Sequence, residues 1–124
     1  MKTKQVLVMR RDLNMRKGKL VAQGSHAAMA FLTEAIRNGK RLEEFSPEEK
    51  DWITGRFTKI CVYVNSEEQL EQIAKKAEEE GLLVKRIIDS GLTEFKGEPT
   101  FTCIGIGPDN VEKIDKITGD LPLL

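Results

Sequence analysis

The chain is poor in the residues that most often carry chemistry: two cysteines, one histidine, one tryptophan and one tyrosine in 124 residues. Two thiols cannot build a disulfide framework. Cys61 and Cys103 each lie inside an apolar run with no histidine cluster beside them, so a zinc site is not expected either. They read as buried free thiols of a reducing compartment. No apolar run approaches the roughly 18–20 residues that span a bilayer, and the first residues lack the apolar core of a secretory leader. A cytoplasmic protein without membrane attachment is the expectation. The familiar catalytic signatures are also missing. There is no G-x-S-x-G elbow and no P-loop, while "GIGPDN" falls short of the dinucleotide fingerprint and comes after the last apolar run rather than the first. Neither a metal nor an organic cofactor is expected.

Net charge is absent as a whole, with twenty Lys and Arg against twenty Asp and Glu, but it is unevenly spread. Residues 1–40 hold nine Lys and Arg against two acids, and the balance comes from acidic stretches such as 43–51 and 67–80. Such a separation can place a basic face on a neutral protein and suits a polyanionic partner. The length fits one domain over 1–124, long enough to bury its own core. It leaves a homodimer open.

Four short apolar runs read as strands: "KQVLVMR" (4–10), "TKICVYV" (58–64), "LLVKRIID" (82–89) and "TFTCIGIG" (100–107). The first is apolar on both alternating faces, as expected of a strand covered on two sides. In the last, Thr100, Thr102, Ile104 and Ile106 fall on one face of a regular strand. Between them lie helical patterns. From about Lys17 to Asn38 one stripe carries Leu20, Ala27, Phe31 and Ala35, flanked by Val21, Ala28, Leu32 and Ile36. Its many alanines and Gly24 make this helix thin. Ser46-Pro47-Glu48-Glu49 is a capping box for a short helix. A cap at Asn65 or Ser66 starts a helix that turns Leu70, Ile73, Ala74 and Ala77 inward and stops at Gly81. The last helix is expected within "GPDNVEKIDKITG", with Pro108 in its first position. The order β-α-(α)-β-α-β-β-α indicates an α/β sandwich: a four-stranded, mostly parallel, mixed sheet with helices on both faces.

Two stretches could hold a site. Lys19, Gln23 and His26, at i, i+4 and i+7, stack on one face of the first helix. "DSGLTEFKGEPTFT" leaves the third strand and enters the fourth, offering Asp89 with Thr93, Thr100 and Thr102. The loop at a strand's C-terminal end is a preferred place for a ligand in an open α/β sheet. Plainer readings stand beside these. Lys19 could be a solvated first-turn residue, His26 a hydrogen-bonded packing residue, Asp89 a cap for the Ser90-Gly91 turn. The threonines suit a strand on propensity alone. Spacing nominates a site without deciding it.

"KQVLVMRRDLNMRKGKLVAQGSHAA", "DSGLTE" and "TCIGIGP…IDKITGDLPLL", in that order along nearly the whole chain, resemble the second class of peptidyl-tRNA hydrolases, the type typical of archaea and eukaryotes. The resemblance implies a mixed-sheet α/β fold and hydrolysis of the ester joining a peptide to the 3′ end of tRNA. The family's lysine, glutamine, aspartate and first threonine match Lys19, Gln23, Asp89 and Thr93. Its further threonine matches Thr102, or Thr100, because "KGEPTFT" is about one residue longer than the family's usual turn. Gly24 stands where the family often has Cys, which argues against a thiol nucleophile. Glu94 is out of place near a polyanion.

On this basis Asp89, Thr93 and Thr102 (or Thr100) are expected to position and partly deprotonate a water. Lys19 is expected to donate to the developing oxyanion or to the ribose-phosphate, and Gln23 to hold a carbonyl or the terminal ribose. Arg10, Arg11, Arg16 and Lys17 are expected to grip phosphates of peptidyl-tRNA, with His26 at the substrate site but leaning towards a structural role. The rival readings are a catalytically silent tRNA- or protein-binding module of the same fold and a hydrolase of a related aminoacyl ester.

Overall fold

In a computed structural model, which describes residues 2–124, four strands make one sheet: β1 (Thr3–Arg10), β2 (Lys59–Val64), β3 (Val84–Asp89) and β4 (Thr100–Asn110). Four α-helices accompany them: α1 (Lys17–Arg37), α2 (Pro47–Thr54), α3 (Glu67–Glu79) and α4 (Val111–Thr118). The strand order is β2–β1–β4–β3. β1 and β2 are parallel, and β4 is antiparallel to both of its neighbours. Three strands therefore run the same way, as a mostly parallel sheet requires, yet only one adjacent pair is parallel. Two causes account for this. Residues 90–99 contain no helix and bring the chain back antiparallel, and β4 is then inserted beside β1 rather than at the edge.

β1 is covered on both faces. Val6 and Val8 join Val62, Val64, Ile104, Ile106, Leu70 and Ala74 of α3, and Ile114 of α4 in one cluster. Leu7 and Met9 join Cys103 and Ala27 of α1 in the other. A satellite of Phe31, Phe45 and Trp52 ties α2 to the C-terminal half of α1, with Phe31 and Trp52 ring centroids 5.7 Å apart at 66°. The second stripe expected on α1 is only partly buried: Val21 is 69% exposed and Ile36 60% exposed. Burial instead follows Gln23, Ala27 and Phe31. No helix among the described residues is long and apolar enough to cross a membrane.

The caps explain where helices begin. Ser46 Oγ accepts from Glu49 N while Glu49 accepts from Ser46 N, the expected box. Ser66, not Asn65, caps α3 by accepting from Gln69 N. The last helix starts later than expected. β4 runs on past Pro108 to pair Asn110 with Thr3, and Asn110 Oδ1 then caps α4 by accepting from Glu112 N.

Two local features place α1 on the sheet. A Cβ built on Gly105 of β4 would lie 2.3 Å from the Ala27 carbonyl oxygen, so only glycine lets the helix backbone come this close. Cys103 Sγ donates to Gln23 O at 3.4 Å, and Gln5 Nε2 donates to Ala28 O at 2.9 Å, so the sheet bonds the helix's own carbonyls. The second feature is a bulge. Ile87 faces Cys103 and Ile88 faces Phe101, leaving Thr102 as an extra residue on β4. Phe101 and Ile104 thus both pack on the α3/α4 side, while Thr102 and Cys103 both turn toward α1. The expectation that Thr102 shares a face with Ile104 is corrected by this bulge.

Burial pushes the Cys103 thiol up to about 12 and raises that of half-buried Cys61, so both stay neutral thiols. At the opposite border of the sheet, residues 122–124 lie along β2: Tyr63 N donates to Pro122 O and Leu124 N to Cys61 O.

Two glycines near α1 are expected to respond oppositely to alanine. Gly105→Ala forces a Cβ into backbone and should cost about 2 kcal/mol or more. A Cβ on Gly24 meets only Leu7 and Met9 at 3.9 and 4.0 Å, so Gly24→Ala should stabilise the helix by about 0.5–1 kcal/mol. Urea denaturation of both variants measures the contrast.

Candidate active site

β1 and β3 run in the same direction, so the C-terminal end of β3 and the start of α1, reached from the end of β1, meet at one border of the sheet. Asp89 ends β3 and Lys19 lies in the first turn of α1. Lys19 Nζ donates to Asp89 Oδ1 at 2.9 Å and to Thr93 Oγ1 at 2.8 Å. One turn on, Gln23 Nε2 donates to the same Oδ1 at 3.2 Å. A carboxylate only accepts, so the amide nitrogen of Gln23 must face Asp89 and its oxygen must face away. That oxygen accepts from Thr102 Oγ1 at 2.5 Å. The result is a continuous chain, Thr102–Gln23–Asp89–Lys19–Thr93, running from the buried interior to the surface.

Asp89 Oδ2 accepts from Gly91 N at 2.9 Å, so the turn-capping reading of this residue is also true. Gly91 has φ +83°, and a Cβ there would lie 2.2 Å from Glu98 O. Glycine is needed for the backbone to reach the carboxylate at this turn. The hydrogen bond from Lys19, then the one from Gly91 N, hold the Asp89 carboxyl below its ordinary value of 3.8 against the opposing effect of burial. Asp89 is therefore a fixed anion with one acceptor position still open. Of Lys19's three N–H bonds, one points to neither Asp89 nor Thr93.

The remaining predicted residues separate into two groups. Thr100 Oγ1 donates to Glu98 O and closes its own turn, so of the two candidate threonines only Thr102 joins the chain. Thr102 is fully buried behind Gln23 and positions that amide; it does not reach Asp89. Arg10 is turned inward: it pairs with both oxygens of Asp12, donates to Phe101 O and lies 3.6 Å from Glu67. It braces the strand ends. Arg11 is exposed, with its guanidinium 4.6 Å from the Tyr63 ring centroid. Lys17 is exposed, and Arg16 caps α1 while donating to Glu94 at 2.9 Å. His26 is exposed on the same face, one turn beyond Gln23, rather than packed as a structural residue. No group of three or more His, Cys, Asp or Glu stands together as metal ligands among the described residues.

One contributor was not singled out from the sequence, and another was read differently. Phe95 packs into the α1-side cluster with its ring 5.7 Å from Lys19 Nζ, where it walls the ammonium. An aromatic in the otherwise polar loop 90–99 was the available signal. Glu94, out of place on sequence grounds, spends its charge on Arg16 and ties this loop to the start of α1.

Residues 3–124 match the family model described as peptidyl-tRNA hydrolase PTH2. The chain belongs to that family. It is 46% identical to a peptidyl-tRNA hydrolase of Methanocaldococcus jannaschii over 98% of this chain and 99% of the relative. It is 40% identical to one of Methanopyrus kandleri, over 98% and 97%. It is also 44% identical to one of Sulfurisphaera tokodaii, over the full length of both. The resemblance carried by the motifs is thus a family membership.

Two outcomes test this geometry. Thr102→Val leaves Gln23 Oε1 buried without its donor, a loss worth about 1–3 kcal/mol; Thr102→Ser should restore both stability and turnover, which a merely space-filling threonine would not require. The second concerns pH. Because the folded-state pKa of Asp89 is depressed, its contribution is fully present above the ordinary carboxylate range and is lost as pH falls through the folded value. Carboxyl NMR titration should place Asp89 below the ordinary aspartate value, and Lys19→Met should move it up.

Proposed function

We propose that this chain hydrolyses peptidyl-tRNA, releasing the peptide and freeing the tRNA for reuse. The observation that carries the reading is the Thr102–Gln23–Asp89–Lys19–Thr93 chain in a member of a family whose relatives are named for that activity. A binding module has no need of an anion and a cation fixed 2.9 Å apart at a surface where both keep unused hydrogen-bonding capacity.

The ester is already activated, so the tasks are to orient a water and to stabilise the tetrahedral oxyanion. Asp89 accepts from the water at its open position. Held toward the anion, it acts by orienting the water more than by taking its proton. Thr93 accepts from Lys19, so its own hydroxyl proton is free to point at the water or at the leaving oxygen. The remaining N–H of Lys19 donates to the oxyanion. Attack forms the bond from water oxygen to carbonyl carbon. Collapse breaks the bond to the ribose 3′ oxygen; of the water's two protons one passes to that oxygen and the other to solvent, and the peptide leaves as a carboxylate.

Arg11, Arg16 and Lys17 surround the start of α1 and supply phosphate contacts that need not read sequence, since every tRNA shares its 3′ end. Arg10 drops out of this set because its donors are used within the chain. This function belongs with the ribosome in the cytoplasm.

In a hydrolysis assay, Lys19→Ala and Asp89→Asn are each expected to lose on the order of a hundredfold or more in turnover. Wild-type turnover in both folded variants sinks the assignment. Salt-sensitive tRNA binding with no cleavage by the wild type favours the silent module, and equal cleavage of aminoacyl-tRNA favours the broader esterase. Arg11→Ala and Lys17→Ala should each lower the salt dependence of tRNA binding by about one counterion.

A further inference from the structure

A groove of about 640 Å³ runs away from the catalytic border between α1 and β3, lined by His26, Met29, Ala30, Arg37, Ile87 and Ile88 among others. It starts beside the reacting groups: Ile88 immediately precedes Asp89, and His26 is one turn beyond Gln23. Its wall on the strand side includes three consecutive residues, 86–88, so it follows the margin of β3 and not one face. β3 is an edge strand. Among the described residues no other backbone bonds to the outer side of Val84–Asp89.

We propose that this groove receives the peptide arm of peptidyl-tRNA; the inference rests on the function proposed above. The substrate has two chemically opposite arms meeting at the ester, a polyanion and a peptide. The exposed cations Arg11, Arg16 and Lys17 lie at the N-terminal end of α1, on one side of Lys19 and Asp89. The groove leaves on the other side, toward the C-terminal end of α1. Near Asp89 it is apolar rather than cationic, with Arg37 at its far end. Met29 is 54% exposed and Ile88 59% exposed, so both offer apolar surface to a ligand in the groove. Arg86 is already held by Glu71 and Glu78, and Lys85 by Glu34. An edge strand suits a peptide of any sequence, because main-chain hydrogen bonds are common to all peptides while apolar side chains give modest preference.

The length of the site follows from helix geometry. His26 to Arg37 rises about 16 Å, which accommodates roughly four or five residues of extended peptide. Affinity should therefore increase with peptide length up to about that number and then level off.

The test compares peptidyl-tRNAs carrying one, three, five and eight apolar residues, cleaved by wild type, Met29→Asp and Ile88→Ser. For wild type, KM should fall with length and flatten near five. In each variant the ratio of kcat/KM for the five-residue over the one-residue substrate should fall roughly tenfold, the effect of an apolar group in a pocket. Both side chains are exposed, so the variants should keep the wild-type melting temperature. A long-to-short ratio equal to that of wild type in both variants overturns the groove assignment and leaves the activity standing. A uniform loss on all lengths also overturns it, since it would place the groove under the tRNA. Failure of wild type to cleave any of the substrates removes the proposed function itself.

Discussion

The close approach of α1 to β4 governs the rest of the molecule. Gly105 has no side chain, so the Ala27 carbonyl can sit where a Cβ would otherwise be. That contact sets the height of the helix above the sheet, and Gln23, one turn earlier, is consequently lowered until its amide bridges Thr102 and Asp89. The bonds from Cys103 to Gln23 O and from Gln5 to Ala28 O fix the same height at two other points. A helix of ordinary bulk would stand farther off, and the polar chain from interior to surface would be broken at Gln23. Gly105 on the strand and Ala27 on the helix, which look like weak packing, are what let this polar chain close.

The second constraint is electrostatic. A half-buried carboxylate is costly unless donors meet it, and here three do so from two separate parts of the chain. Lys19 and Gln23 come from α1, Gly91 from the loop after β3. Asp89 is thereby kept an anion and kept still. The same donors weaken it as a base, so the site is better suited to holding a water against an activated ester than to breaking a strong bond. The Arg16–Glu94 pair fastens the loop that carries Thr93 to the helix that carries Lys19.

Much of this was legible in the sequence. The two-sided apolar run of β1, the capping box at Ser46 and the i, i+4, i+7 stack of Lys19, Gln23 and His26 all follow from local pattern, and local pattern decided them. The motifs at both ends of the chain were specific enough to indicate the family. What could not be read depends on pairing. The bulge at Thr102 reverses the alternation that a regular strand would have, and only the register against β3 reveals it. The continuation of β4 past Pro108 depends on Thr3 lying opposite Asn110. Arg10 reads as a phosphate ligand from the sequence, but Asp12 and Phe101 O take its donors, and Val21 and Ile36 read as core but lie outside the buried stripe of Gln23, Ala27 and Phe31.

The two borders of the sheet are treated differently by the chain. Beside β2, residues 122–124 lie down as a short antiparallel segment and occupy the main-chain groups of Cys61 and Tyr63. Those groups are closed to other molecules by a piece of the protein itself. Among the described residues the β3 border has no such cover, and its Lys85 and Arg86 are held in ion pairs with Glu34, Glu71 and Glu78. One border is thus covered by the chain's own residues and the other is left open, and only the second leaves backbone accessible to a flexible chain.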